Sequence, residues 1–319
     1  MKVLVTTPYE KNSLQGNTVT AKRVVSILLE SGIDAAVLSK DEKVVCADVL
    51  IALHARKSAH FIDDFLAMNL TGKVIVYLTG TDLYSDIPKG CEICEKSMEL
   101  ADALVVSQNS SLASVPEKYR SKTVVVHKSI DLPDAVRDDV GTESKLFTVI
   151  GHIRAVKQPF MAVESLQLLD RSVSLRLALL GKEVDSGSGE ICMKWQEQDP
   201  RFQWLGGVEY VETLQWMQRS VATINTSLAE GGANSVGESI VLGVPVIASR
   251  IEGNIGMLGD DYAGYFSAES NQELADLMHR VIHDANFLEK LRGQVKLRGK
   301  SFLRENEKQD WMNIIQKIS

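Results

Sequence analysis

A chain of 319 residues with 45% hydrophobic and 24% charged residues is long enough to bury one large core or two ordinary ones. Its longest apolar stretches, such as 239–249, are broken by Gly and Pro well short of a membrane span, and Met1–Tyr9 is too short for the apolar region of a signal peptide; no membrane association and a cytoplasmic location are expected. The formal net charge of −7, with Lys and Arg scattered along the chain, leaves no basic face for a nucleic-acid backbone, so an anionic ligand must be held locally.

In the first half, short β-branched runs at Lys2–Thr6, Asp34–Leu38, Asp48–Leu53, Lys73–Leu78, Ala103–Ser107 and Thr123–His127 alternate with amphipathic segments at Val19–Leu29, Ser58–Ala67 and Cys91–Leu100. Alternating strands and helices predict a parallel sheet covered on both faces, a doubly wound domain over residues 1–135. Four cysteines are present, and only Cys91 and Cys94 have suggestive spacing; with no second pair or nearby His to complete a tetrahedral zinc set, they read as reduced thiols without an assigned role.

Lys128–Ser144, polar and carrying Pro133, several Asp residues and Gly141, reads as a linker. A second cycle then begins, with strands at Leu146–Ile150, Leu175–Leu180, Phe202–Leu205, Val221–Thr226, Pro245–Ser249 and Gly264–Phe266. Helices at Pro159–Leu169, Val211–Arg219, Ser235–Leu242 and Glu273–His283 lie between them. This predicts a second doubly wound domain over 145–302, the two domains facing a ligand cleft at their strand C-termini. The final segment, 303–319, contains a helix at Glu305–Ile318 with Trp311, Ile314, Ile315 and Ile318 on its apolar side, expected to pack back on the first domain.

The most informative stretch is Glu230-Gly-Gly-Ala-Asn-Ser-Val-Gly-Glu238, between two strands of the second cycle. Gly231 and Gly232 permit close backbone approach, and the amides of Gly231, Gly232, Ala233, Asn234 and Ser235 at a helix start can cradle a diphosphate. Carboxylates repel phosphate, so Glu230 is expected at the sugar hydroxyls and Glu238, a turn into the helix, at a ribose. A second constellation follows the Leu146–Ile150 strand: Gly151 ends it, and Arg154 and Lys157 sit in the loop before a helix. There they would receive the negative charge released onto a departing diphosphate; the competing reading is that both are surface charges around a turn. Gly206 and Val208, after the Phe202–Leu205 strand, are candidates for the nucleotide base. No Asp-x-Asp triplet offers a divalent-metal carboxylate pair, and Thr7–Asn17 lacks the Gly-x-Gly-x-x-Gly of a dinucleotide site, so neither metal nor cofactor is expected.

On the first domain, Gly16, Asn17 and Thr20 open a helix after the first strand, either as polar ligand contacts or as an ordinary cap with Asn17 at the N-cap. His54, Arg56 and Lys57 follow the third strand, and Thr79, Thr81 and Asp82 follow the fourth, so both groups fall on one rim. Arg56 and Lys57 suit an anionic acceptor; Thr79, Thr81 and Asp82 suit sugar hydroxyls or the orienting of a cation. For His54 the alternatives are a site role and a satisfied buried histidine.

The Glu230–Glu238 stretch with Gly243-Val-Pro-Val-Ile-Ala-Ser249 resembles the E-x7-E region of retaining glycosyltransferases that share two Rossmann-like domains, the GT-B fold. Further phrases, Gly16-Asn-Thr-Val-Thr-Ala-Lys-Arg23, Leu53-His-Ala-Arg-Lys-Ser-Ala59, Leu78-Thr-Gly-Thr-Asp-Leu-Tyr84, Gly151-His-Ile-Arg154, Trp204-Leu-Gly206 and Ala248-Ser-Arg-Ile-Glu-Gly-Asn254, resemble the selenosugar synthases of selenoneine biosynthesis. That resemblance implies attack of selenophosphate on the anomeric carbon of UDP-N-acetylglucosamine or UDP-glucose, with UDP leaving and phosphate lost to give a 1-selenosugar. It departs from the family phrases at Lys57, where an Arg is usual, and at Gln158, where an acidic residue is expected. Arg154, Lys157, Glu230 and His54 are then the candidate catalytic residues; Gly16, Asn17, Thr20, Arg56, Lys57, Thr79, Thr81 and Asp82 are the acceptor contacts. An O-glycosyltransferase of the same fold, a UDP-N-acetylglucosamine epimerase and a nucleotide-sugar-binding module are the other readings.

Overall fold

A computed structural model of the chain describes residues 1–13, 15–136 and 141–318; part of the expected linker, 137–140, lies outside them. The chain divides into two units, Met1–Ser129 with Leu303–Ser319, and Ile130–Phe302.

The first unit holds strands β1 (Lys2–Thr6), β2 (Asp34–Leu38), β3 (Val49–Leu53), β4 (Lys73–Tyr77), β5 (Ala103–Val106) and β6 (Thr123–Val125). All pair in parallel, in the order β2-β1-β3-β4-β5-β6. Every residue of β3 is buried, as expected of a central parallel strand covered on both faces. Helices α1 (Gly16–Glu30), α2 (Ala59–Met68), α3 (Glu92–Leu100) and α4 (Glu117–Arg120) connect the strands. Two apolar layers result, one against α2 and α3 through Phe61, Phe65 and Met98, the other against α1 through Val24, Ile27 and Leu28.

The second unit repeats the plan with β7 (Glu143–Ile150), β8 (Arg176–Leu180), β9 (Phe202–Gly206), β10 (Ser220–Asn225), β11 (Val246–Ser249) and β12 (Tyr265–Phe266), in the parallel order β12-β11-β10-β7-β8-β9. Its helices are α5 (Pro159–Leu168), α6 (Ser188–Gln198), α7 (Tyr210–Arg219), α8 (Asn234–Leu242), α9 (Glu252–Leu258), α10 (Asn271–His283) and α11 (Ala285–Gly299). Local chemistry fixes several ends. Ser270 Oγ, at the N-cap of α10, accepts from Glu273 N, and the Glu273 carboxylate accepts from Ser267 N, three residues before the cap. Gly243, in the left-handed region at φ 72°, closes α8 before Pro245.

The last helix, α12 (Arg304–Ile318), is part of the first unit: Trp311, Ile314 and Ile315 join the α1-side layer, with Tyr77 edge-on to Trp311 at 5.9 Å. Fully buried Glu307 on α12 accepts from Arg23 Nε at 3.0 Å and from the backbone and hydroxyl of Ser129, each at 2.6 Å. The two α/β sheets are those expected from the alternating pattern. Helices α4, α6, α9 and α11 are not among those read from the sequence: α11 buries only Phe287, Leu291 and Val295 and carries two glycines, α9 is a seven-residue piece, and α4 is a single turn of four residues.

Candidate functional site

In the second unit β7 and β10 lie side by side, but the chain leaves β7 toward β8 on one side and β10 toward β11 on the other. Their following loops therefore diverge, opening a crevice at the strand C-termini, where open α/β sheets receive ligands. A small pocket there is lined by Gly151, Lys157, Pro159, Asn225, Thr226 and Ser227, among others.

The two sequence constellations, more than seventy residues apart, meet in this crevice. Leu228 N donates to Val156 O at 2.9 Å, and Thr226 Oγ1 donates to Lys157 O at 2.7 Å. The Lys157 ammonium pairs with Glu230 Oε1, which also accepts from Ser227 Oγ at 2.7 Å. Gly151 ends β7 with its N–H on Leu180 O; a side chain at Gly181 would lie 1.9 Å from Gly151 O, so glycine there lets the two strand ends approach. Arg154 is half-buried with its Nε unpartnered, and Gln158, at φ 42°, leaves a buried Oε1 likewise unpartnered. Arg154, Lys182 and Lys157 add to desolvation in holding the His152 imidazole below its ordinary pKa. Arg154, Lys157 and Lys182 thus bring three cations near the end of β7, one of them paired with Glu230.

Gly231 and Gly232 form the turn into α8, Gly232 at φ 126°, and Ala233 is the N-cap. Asn234 and Ser235 begin the helix, where first-turn amides have no intrahelical acceptor. Glu238, a turn later, is half-buried; burial pushes its carboxyl up to about 7, with a hydrogen bond from Tyr210 at the start of α7 acting the other way. Gly206 ends β9 at φ 66°, its carbonyl accepting from Gly181 N at 2.7 Å. Val208 packs beside Leu146, Ala178 and Leu180; neither residue lines the pocket between β7 and β10.

Several supporting residues escaped the sequence reading. The Glu230 turn rests on α9: a side chain at Gly253 would lie 2.1 Å from Glu230 O. Asn254, fully buried, donates to Asn225 Oδ1 and to Ser249 O, and Ser249 Oγ donates to Ser227 O at 2.6 Å. Only the Gly-Asn pair after β11 hinted at these, since buried polar contacts leave no periodic signal. Tyr210 gave none.

In the first unit the corresponding divergence lies between β1 and β3. Gly16 and Asn17 sit in the first turn of α1, but Gln15 is the N-cap and makes no side-chain cap. The expectation of Asn17 as N-cap is corrected, because the helix begins one residue before it. Thr20 is buried within α1. Lys57 Nζ donates to Tyr9 OH at 2.8 Å, and Arg56, exposed, donates to Asp86 Oδ2 at 2.8 Å.

His54 is 1% exposed and holds a positive φ of 75°. Its Nε2 meets Thr81 Oγ1 at 3.0 Å and its Nδ1 accepts from Lys57 N at 3.4 Å; burial outweighs Asp82 and Asp86 in lowering its pKa, favouring the neutral ring. Asp82 is fully buried. One oxygen accepts from Ala55 N at 2.9 Å; the other accepts from the amides of Thr79, Gly80 and Leu83. It ties the two rim loops together, while Thr79 and Thr81 keep accessible surface.

Solved structures share this architecture. HepE of Anabaena, crystallised with UDP, superposes with a TM-score of 0.77 over 99% of this chain and 100% of its own, at 13% identity. TarM of S. aureus, in complex with Fondaparinux, alpha-GlcNAc-glycerol and UDP, superposes at 0.67 over 83% of this chain and 12% identity; the match spans 55% of TarM's length. A Xenopus tropicalis protein, glycosyltransferase 1 domain-containing protein 1, is 24% identical over 301 residues, 84% of each chain. The family profile for glycosyl transferases group 1 matches residues 133–298, just over half of the chain and nearly all of the second unit. The chain belongs to the glycosyl transferases group 1 family.

Proposed function

We propose that this chain transfers a glycosyl group from a UDP-sugar, UDP-N-acetylglucosamine or UDP-glucose, to selenophosphate. The observation that carries the donor half is the meeting of Lys157 and the Glu230 turn at the β7/β10 divergence, with Arg154 three residues before Lys157 in the same loop. HepE and TarM, of the same fold, were crystallised with UDP, which supports the nucleotide. On this reading the diphosphate lies over the Gly231–Ser235 amides, Arg154 and Lys157 stabilise the charge growing on it, Glu230 meets the sugar and Glu238 the ribose. Lys157 exchanges its partner Glu230 for the diphosphate when the donor binds. Fixed cations take the role that a divalent ion fills elsewhere, so turnover in chelator is expected to match turnover in magnesium.

The acceptor half rests on the sequence resemblance and on one chemical argument. An alcohol needs a base during attack, whereas selenophosphate is already an anionic, polarisable nucleophile. Arg56 and Lys57 present charge at the first unit's rim, while His54 and Asp82 are enclosed beneath and shape it. Selenium attacks the anomeric carbon as the bond from that carbon to the UDP oxygen breaks; water then cleaves the phosphorus–selenium bond, giving phosphate and the 1-selenosugar.

Incubation with UDP-N-acetylglucosamine or UDP-glucose and selenophosphate, followed by mass detection of a selenosugar and UDP, tests the whole. UDP release to an alcohol but not to selenophosphate would replace the acceptor and keep the donor; no UDP release with any acceptor would overturn both.

A further inference from the structure

The cysteine pair to which the sequence assigned nothing has a specific setting in the first unit. Cys91 is the N-cap of α3 and Cys94 lies one turn in: the Cys94 amide donates to Cys91 Sγ at 3.4 Å. Cys91 is half-buried and Cys94 fully buried. Residues three apart on a helix have Cβ atoms about 5–6 Å apart, and a disulfide needs roughly 3.5–4.5 Å; the difference is a small backbone shift at Cys91, which as N-cap lies outside the helix with extended backbone. Arg56, paired with Asp86, stands on the rim loop that Ser97 of α3 holds through Ala55 O. Helix starts are among the places where reactive thiols are found. The partner thiol is held protonated, burial being the main cause and Cys91 the second.

We propose that Cys91 and Cys94 form a thiol–disulfide exchange site whose co-reactant is a small-molecule disulfide. The Cys91 sulfur attacks the incoming disulfide, whose sulfur–sulfur bond breaks to release one thiol. The Cys94 sulfur then attacks the mixed disulfide at Cys91, releasing the second. Two cysteine thiols are oxidised, one disulfide is reduced, and the two cysteine protons end on the released thiols.

The site is joined to the rim above it. The Cys91 amide donates to Asp86 O at 3.2 Å, Asp86 Oδ2 holds Arg56 Nε, and Ser97 Oγ, on the same helix, donates to Ala55 O at 2.7 Å. Closing the bridge draws Cys91 toward α3 and loosens its hold on Asp86. The rim that carries Arg56 therefore reads the oxidation state of the pair, whatever ligand the rim takes.

The test uses the full reduced chain incubated with oxidised glutathione, then digested with trypsin after alkylation of free thiols. Cleavage after Lys89 and Lys96 isolates Cys91 and Cys94 in one peptide free of Cys46 and Cys192. That peptide is expected to lose two hydrogens in mass and to escape alkylation. Cys94→Ser should leave a glutathione adduct on Cys91, and Cys91→Ser should leave Cys94 unmodified. Hydrogen exchange over 79–91 should rise at least two-fold on oxidation and return with dithiothreitol. Two alkylated cysteines in that peptide, when exposed Cys46 has reacted in the same sample, overturn the site; a formed disulfide with unchanged exchange overturns its link to the rim.

Discussion

Substitution of Glu238 by Gln is expected to raise stability at alkaline pH while weakening UDP binding. The carboxyl is pushed from an ordinary 4.5 up to about 7, burial being the first cause and the Tyr210 hydrogen bond opposing it. A carboxyl raised in the folded state contributes most at pH below 4.5, and the contribution is lost as pH rises toward 7; at pH 8 the native state carries the full cost of an ionised, desolvated group. At about 1.4 kcal/mol per pH unit, that separation sets a ceiling of about 3 kcal/mol. Glu238 is half-buried, so solvent screening reduces the expected gain of Glu238→Gln to about 1–2 kcal/mol at pH 8 and to a few tenths at pH 5. Urea denaturation of both proteins at the two pH values measures the difference, and calorimetric titration with UDP follows the nucleotide. An equal change at pH 5 and pH 8, or none at pH 8, would refute the burial argument. Gain of stability with undiminished UDP affinity would refute the ribose assignment.

Lys157→Ala is expected to lower kcat/KM for the UDP-sugar by roughly 10²–10³, read by steady-state release of UDP. Arg56→Ala should raise the KM for selenophosphate several-fold and leave UDP-sugar affinity within two-fold, and the reverse pattern would exchange the roles proposed for the two loops. Gly253→Ala forces a methyl to within 2.1 Å of the Glu230 carbonyl; backbone must shift, at about 1–3 kcal/mol, with weaker UDP binding measured beside the urea midpoint. Trp311→Ala empties a fully buried position against Tyr77 and should cost about 3–5 kcal/mol, visible in the denaturation midpoint.

Strand periodicity in the sequence located the sheets well because a parallel strand covered on both faces is a run of buried residues, as in β3. Helix signals were weaker where the buried stripe was thin, and α4, α6, α9 and α11 went unread. The glycine-rich turn at 231–232 and the cations at 154 and 157 stood out as separate motifs, since each is a local demand on backbone freedom or charge. Nothing local, however, says which strand pairs with which. The polar rim of the first unit shows the same division: His54 and Asp82 look accessible as letters beside Arg56 and Lys57, yet the chain encloses them because hydrogen bonds to neighbouring loops satisfy their polar atoms.

By itself, then, the sequence determined two α/β cycles and the chemistry carried at the end of each strand. Tertiary structure alone decided that β7 lies next to β10, which joins Lys157 to Glu230, and that α9 closes under the Glu230 turn through Gly253. The physical reason is range: helix, strand and turn preferences act over a few residues, whereas sheet order comes from burying whole faces drawn from distant parts of the chain.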